Sequence, residues 1–137
     1  MRMTLGVLCI CFASLSNVAS IAGQPAPVKL EHPGDTSLSE DQPGKFVYKS
    51  FPTLLRLYVF SQDRPGKSNC NDGCASAWPP LMVSDSEKGP RIGDWTIIRR
   101  DNGARQWAYK GRPVYTRYHD FDPDASTEKE GFHSLVP

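Results

Sequence analysis

Trp95-Thr96-Ile97-Ile98-Arg99-Arg100-Asp101-Asn102-Gly103-Ala104-Arg105-Gln106-Trp107-Ala108-Tyr109 is the stretch whose reading decides the fold. Residues 95–100 are rich in β-branched and aromatic side chains, which suit a pleated strand. Asp101-Asn102-Gly103 then supplies residues that tolerate positive φ, as a tight turn requires, and residues 105–109 return as the hairpin partner. Strand alternation places Trp95 and Ile97 on one face of the first strand, and Trp107 and Tyr109 on one face of the second. These aromatics are expected to pack together. Lys110-Gly111-Arg112-Pro113 makes a second turn into Val114-Tyr115-Thr116-Arg117-Tyr118. The expected product is a three-stranded antiparallel meander, with Leu135-Val136 adding a closing strand and Phe132 plugging the core.

Upstream the signals are again of β type. Phe46-Val47-Tyr48 is a short aromatic and β-branched run, and residues 54–60 form a second. Helix signals are weak: only residues 73–78 could form a helical turn, which Pro79-Pro80 must end. An internal echo is present, since Leu57-Tyr58-Val59-Phe60-Ser61-Gln62-Asp63 resembles Val114-Tyr115-Thr116-Arg117-Tyr118-His119-Asp120. Each has an apolar residue, then a tyrosine, then an aspartate five positions after the tyrosine. The fold class expected is all-β: a small antiparallel sheet from two pseudo-repeats, with long loops and one disulfide.

The N-terminus bounds the compartment. Arg2, the apolar run Leu5–Leu15 and the small residues Ser20 and Ala22 give residues 1–22 the pattern of a cleaved secretory signal. That run is well short of the roughly 20 residues a membrane-spanning helix needs. Residues 23–45, with Pro25, Pro27, Pro33, Gly34, Pro43 and Gly44, read as a Pro/Gly-rich linker, so the folded domain is expected over 46–137. Cleavage after Ala22 removes one basic residue and leaves 15 basic against 15 acidic residues. That balance argues against nucleic acid or an anionic membrane surface as partner. Cys9 and Cys11 fall in the signal. Cys70 and Cys74 remain as an even pair in an oxidising compartment, for which a disulfide is the default.

With these residues in hand, the chain resembles a group of bacterial exported proteins, the secreted repeat of unknown function. Its members are also described as predicted lipoproteins with a Yx(FWY)xxD motif. The resemblance runs from about Leu57 to Val136. It rests on 57–63, on Pro65-Gly66-Lys67-Ser68 and on Cys70-Asn71-Asp72-Gly73-Cys74-Ala75. It continues through Trp78-Pro79-Pro80-Leu81, Arg100-Asp101-Asn102-Gly103, Gln106-Trp107-Ala108-Tyr109-Lys110-Gly111 and Pro113-Val114-Tyr115. It implies an envelope-located repeat domain of no established activity. Two departures stand out. Arg117 replaces the motif's aromatic in the second copy, with Tyr118 as a substitute ring. Cys9, preceded by Val7-Leu8, is a poor lipidation site, so a released periplasmic or secreted form is expected rather than an anchored one.

Four candidate sites follow. Cys70 and Cys74 read first as a structural bridge, which would close a small ring. The alternative is a thiol-redox pair, or thiolates holding copper with His119 or His133 as a further ligand. Tyr58 with Asp63, and Tyr115 with Asp120, read as strand-end braces in which the aspartate accepts backbone N–H bonds and the tyrosine ring fills the core. Paired aspartates converging on a cation or polar ligand are the functional alternative. His119 beside Asp120 could serve as a switch or base. Trp78-Pro79-Pro80 reads as a cover for the cysteines, with a partner contact as the alternative. Phe60 and Trp107 complete the structural set.

No Ser-His-Asp spacing, phosphate-cradling glycine loop or HExxH stretch occurs. The function expected is therefore a non-catalytic envelope domain that binds a partner or small ligand through loops 63–74 and 119–132. A periplasmic copper-binding or thiol-redox protein is the second reading, and an enzyme the third.

Overall fold

A computed structural model describes residues 30–117 and 128–137. The chain builds β1 (Thr36–Gln42), β2 (Lys45–Ser50), β3 (Tyr58–Phe60), α1 (Asp72–Ala77), β4 (Arg91–Ile92), β5 (Trp95–Arg99), β6 (Arg105–Tyr109), β7 (Arg112–Tyr115) and β8 (Phe132–Ser134). β1 and β2 form a two-stranded sheet, and the other six lie in the order β4-β5-β6-β7-β3-β8. Every recorded pairing is antiparallel. The all-β reading of two pseudo-repeats with one disulfide is what the molecule shows.

The hairpin at 95–109 forms as its residues dictate. Trp95 stands opposite Tyr109 and Ile97 opposite Trp107. Gly103 takes φ 81°, and the Asn102 Oδ1 accepts the Ala104 N–H at 3.1 Å. At the next turn Lys110 (φ 48°) and Gly111 (φ 78°) are both left-handed, the backbone that a two-residue turn between right-twisted strands favours. The sheet core then assembles from Trp95, Trp107, Tyr109 and Tyr48, with Tyr48 meeting the Trp95 ring edge-on at 5.1 Å. Burial pushes the Tyr48 hydroxyl up to about 12, so it stays protonated at neutral pH.

β3 and β7 lie at the centre and are buried on both faces. Val59 and Val114 point into the core just described, while Tyr58, Phe60 and Tyr115 point into a second one with Cys70, Trp78 and Phe132. Side-chain alternation thus feeds two cores from one strand pair.

Two sequence readings are corrected. Residues 36–42, assigned to the linker, are β1, paired residue by residue from Thr36 with Ser50 to Gln42 with Lys45. Ser37, Ser39, Glu40 and Asp41 give β1 no apolar alternation. Its ladder to β2 and the packing of Leu38 on the core supply the strand instead. The closing strand is Phe132–Ser134 rather than Leu135-Val136: Leu135 is buried but lies past the ladder, and Val136 is exposed. Phe132 does plug the core, at 2% exposure. The helical turn expected at 73–78 is α1. The signal-peptide reading lies outside the described residues.

The hydrogen bonds extend the internal echo to the whole fold. Leu81 N–H donates to the Val114 carbonyl and Trp107 N–H to the Leu81 carbonyl, both at 2.9 Å. Leu135 N–H donates to the Leu57 carbonyl at 2.8 Å and Tyr48 N–H to the Leu135 carbonyl at 3.1 Å. The two patterns correspond, with Leu81 matching Leu135, Val114 matching Leu57 and Trp107 matching Tyr48. Each unit, 36–83 and 95–135, therefore has a hairpin, a third strand and a closing segment. The closing segments are exchanged: 80–83 bonds to both β6 and β7 of the second unit, and 132–135 joins β2 and β3 of the first.

Candidate functional site

The exchange creates a column of stacked rings between the units. Phe60 stacks on Phe132 at 4.3 Å, Phe132 on Trp78 at 3.8 Å, and the Arg117 guanidinium carbon sits 5.1 Å from the Trp78 ring centroid. Tyr58 meets Trp78 edge-on at 5.2 Å and Tyr115 meets Phe132 edge-on at 5.6 Å. Arg117 thus occupies the layer opposite Phe60. Its flat cation does the covering that the motif's ring does in the first copy. Glu130 fixes this end, accepting the Trp78 indole N–H at 2.8 Å and pairing with Arg117 at 3.6 Å. Trp78 is accordingly a buried core residue at 2% exposure.

Above the column runs a buried polar chain that joins the two motifs. Tyr115 donates its hydroxyl to Asp63 Oδ2 at 2.7 Å, and Ser68 Oγ lies 2.7 Å from the same Tyr115 oxygen. Arg100 Nη1 donates to Ser68 Oγ at 3.0 Å and to Gln106 Oε1 at 2.7 Å. Its Nη2 donates to the Cys70 carbonyl at 2.6 Å and to Asn71 Oδ1 at 3.1 Å. With Ser68 donating to Tyr115, every link runs the same way from cation to anion, so each bond polarises the next. The tyrosine of the second copy therefore braces the aspartate of the first.

The electrostatics follow from burial. Arg100 is 8% exposed and Gln106 fully buried, and the four groups Arg100 contacts are neutral. Its countercharge is Asp63, reached through two hydroxyls. Burial raises the Asp63 carboxyl above its ordinary value; the Asn69 N–H, the Tyr115 hydroxyl and the Arg100 charge pull the other way. Burial also raises the Tyr115 hydroxyl far enough to keep it a donor throughout the physiological range.

Cys70 and Cys74 are joined, with Cα atoms 5.2 Å apart. The bridge straddles the start of α1 and holds the Cys70 carbonyl against Arg100. Asn71 stands at the N-cap position but makes no capping bond, because its Oδ1 serves Arg100. Asp72 follows in the left-handed region at φ 47°. Loop 63–77 is thereby fixed at Asp63, Ser68, Cys70 and Asn71. Beside it opens a cleft of about 420 Å³ between α1 and the 101–104 turn. Pro80, Met82 and Ala104 form its apolar lining, while Asn71, Asp72 and Asn102 supply polar groups. Met82 is 45% exposed there.

Of the residues singled out in sequence, Tyr58, Phe60, Asp63, Cys70, Trp78 and Tyr115 come together around the column and the polar chain. Trp107 lies in the other core and donates its indole N–H to Asp35 Oδ2 at 2.8 Å. His133 stands opposite Val59, on the far side of the sheet from Phe132 and Cys70. His119 and Asp120 lie outside the described residues. Among those described, no three His, Cys, Asp or Glu side chains cluster as metal ligands. Copper at Cys70 and Cys74 would require the bridge to open first. Arg100, Ser68 and Gln106 were not singled out, although all three stand in the blocks that carry the family resemblance.

No helix among the described residues is long and apolar enough to cross a membrane. The family model of a secreted repeat of unknown function matches residues 56–82 and 96–131. No curated protein and no solved structure matches the chain. The two matched stretches carry the tyrosine strands β3 and β7, and the family's description supports export. The chain carries two repeats that match this family of secreted repeats of unknown function.

Proposed function

We propose that the chain is a non-catalytic binding domain of the cell envelope, periplasmic or released, that engages its partner through loop 63–74 and the cleft beside α1. The observation that carries this reading is the fixation of an exposed loop before any ligand arrives. A disulfide, a buried guanidinium and the Tyr115–Asp63 bond hold a surface segment that a free loop would leave mobile. Holding it in advance lowers the entropy lost on association. The cleft offers apolar area at Pro80 and Met82 beside the amides of Asn71 and Asn102, the mixture by which recognition sites combine affinity with orientation.

Site-specific photocrosslinking in intact cells tests it. A crosslinker at Asn102 is expected to give a discrete adduct that Met82→Glu removes, while one at Lys88 gives none. An Asn102 position that yields no adduct, or one indifferent to Met82→Glu, overturns the reading.

A further inference from the structure

A second cleft, of about 290 Å³, lies at the β6–β7 turn and the end of β8, and shares no residue with the one beside α1. Three nitrogen-bearing side chains from three elements converge on it: Lys110 from the turn, Arg112 from β7 and His133 from β8. No acidic side chain lines it; Pro137, the last residue, brings a main-chain carboxylate to its rim, and that carboxylate makes no ion pair with the three. Among the described residues, none of the three is engaged in an ion pair. Asp63 feels the Arg112 charge, yet its oxygens are taken by Tyr115 and the Asn69 N–H.

Their placement is built into the hairpin. The two-residue turn holds Lys110 at φ 48°, and its Nζ lies 4.9 Å from the centroid of the buried Tyr109 ring. Arg112 shares a strand face with Val114, and His133 faces the same way as Val59 across the β3–β8 pair. Next to these polar groups, Val136 is 56% exposed. Two permanent cations lining one cleft repel each other, so an anion bound in it is favoured. An apolar body attached to that anion would cover Val136.

We propose that this cleft binds a small amphipathic carboxylate. Lys110 and Arg112 hold the head group, the His133 imidazole hydrogen-bonds to it, and the apolar body lies along Val136 and the Tyr109 wall. The volume suits a compact ligand, just below the roughly 300–1,000 Å³ usual for small-molecule sites.

The test is a titration of the ¹⁵N-labelled mature protein with 4-phenylbutyrate, its neutral analogue 4-phenylbutanol, and inorganic phosphate. Amide shifts are expected at Lys110, Gly111, His133 and Val136, with the alcohol binding about tenfold more weakly, as loss of charge-assisted bonds implies. Phosphate is expected to bind weakly too, lacking the apolar body. Arg112→Gln and Lys110→Asn should each weaken phenylbutyrate about fivefold or more without changing the melting temperature. Asparagine is chosen because it tolerates the left-handed backbone. Equal binding of alcohol and acid, phosphate as tight as phenylbutyrate, an unaffected Arg112→Gln protein, or shifts scattered over the surface would each overturn the proposal.

Discussion

The two units share a topology, and their hairpins differ in the buried polar groups they carry among the described residues. The hairpin of the second unit carries Gln106 and ends at Arg100, both buried and both bonded to the loop of the first unit or to groups beside it. The hairpin of the first unit carries Val47 beside Tyr48 and has its one described side-chain ion pair between Asp41 and Arg56, at 2.7 Å. Among the described residues, the polar clamp runs from the second unit's hairpin to the first unit's loop. Loop 63–77 receives the clamp, the disulfide and the cleft. The lesson is that a few buried polar positions, added to a shared strand frame, are enough to hold one surface loop in place.

Cutting the exchange should have the largest effect. A chain ending at Gly131 loses β8 and Leu135, so β3 loses its edge partner and Tyr48 and Leu57 lose their bonds to Leu135. No cooperative unfolding transition is expected by circular dichroism. A sharp transition would show that the first unit stands without the second unit's closing segment.

Arg100→Ala comes next. It strands the acceptors of a buried cation and leaves Asp63 without its countercharge, at a cost of about 3–5 kcal/mol in urea unfolding. Arg56→Ala, on the exposed ion pair of the other unit, should cost less than about 1 kcal/mol. Similar losses at the two arginines would erase the asymmetry between the units.

Replacing both Cys70 and Cys74 by alanine should cost about 2 kcal/mol, the chain-entropy value for so small a ring. Its larger consequence is local: amide exchange should quicken through 69–77 and not in β5 or β6. Uniform quickening would mean that the bridge supports the whole fold rather than this loop.

Arg117→Ala removes one end of the ring column and should cost about 0.5–1 kcal/mol, whereas Phe60→Ala at the other end should cost about 3–5 kcal/mol. Arg117→Phe is expected to restore the loss. A failure to do so would mean that the Glu130 pair, not the stacking, is what Arg117 contributes.

The smallest effect is a pH dependence. The Asp63 carboxyl lies above its ordinary 3.8 in the folded protein, so the folded state binds this proton more tightly than the unfolded chain does. Its ionisation subtracts stability as pH rises from the ordinary value through the folded one, and the effect is level above that. Measured as the difference between wild type and Asp63→Asn, wild type should lose ground over that interval. A difference that grows with pH would mean that Arg100 and the hydrogen bonds outweigh burial.

Much of this architecture was legible in sequence because its causes are local. Trp95 to Tyr109 forms a hairpin through alternation over two residues and through backbone tolerance at Asn102 and Gly103, and both can be read from neighbours alone. The echo of Tyr58 in Tyr115 was equally open, and the strands it marks stand opposite each other, Tyr58 beside Tyr115. β1 was hidden because its polar residues carry no strand signature until β2 supplies hydrogen bonds. Arg117 was read as a break in the motif. Only Trp78, 39 positions away in the chain, shows that a planar cation can take the ring's place.

By itself the sequence determined the strand-rich class, the two copies and the pairing of Cys70 with Cys74 as the natural state of an exported chain. Tertiary structure alone decided that the copies exchange closing segments, that Arg100 is the buried cation of a chain ending at Asp63, and that loop 63–77 is the held surface. The physical reason is the range of the forces. Backbone preference and face alternation act between neighbours and leave a trace in local order. The bond between Tyr115 and Asp63 spans 52 positions, and that between Arg100 and Cys70 spans 30; both exist only once the sheet has brought their ends together.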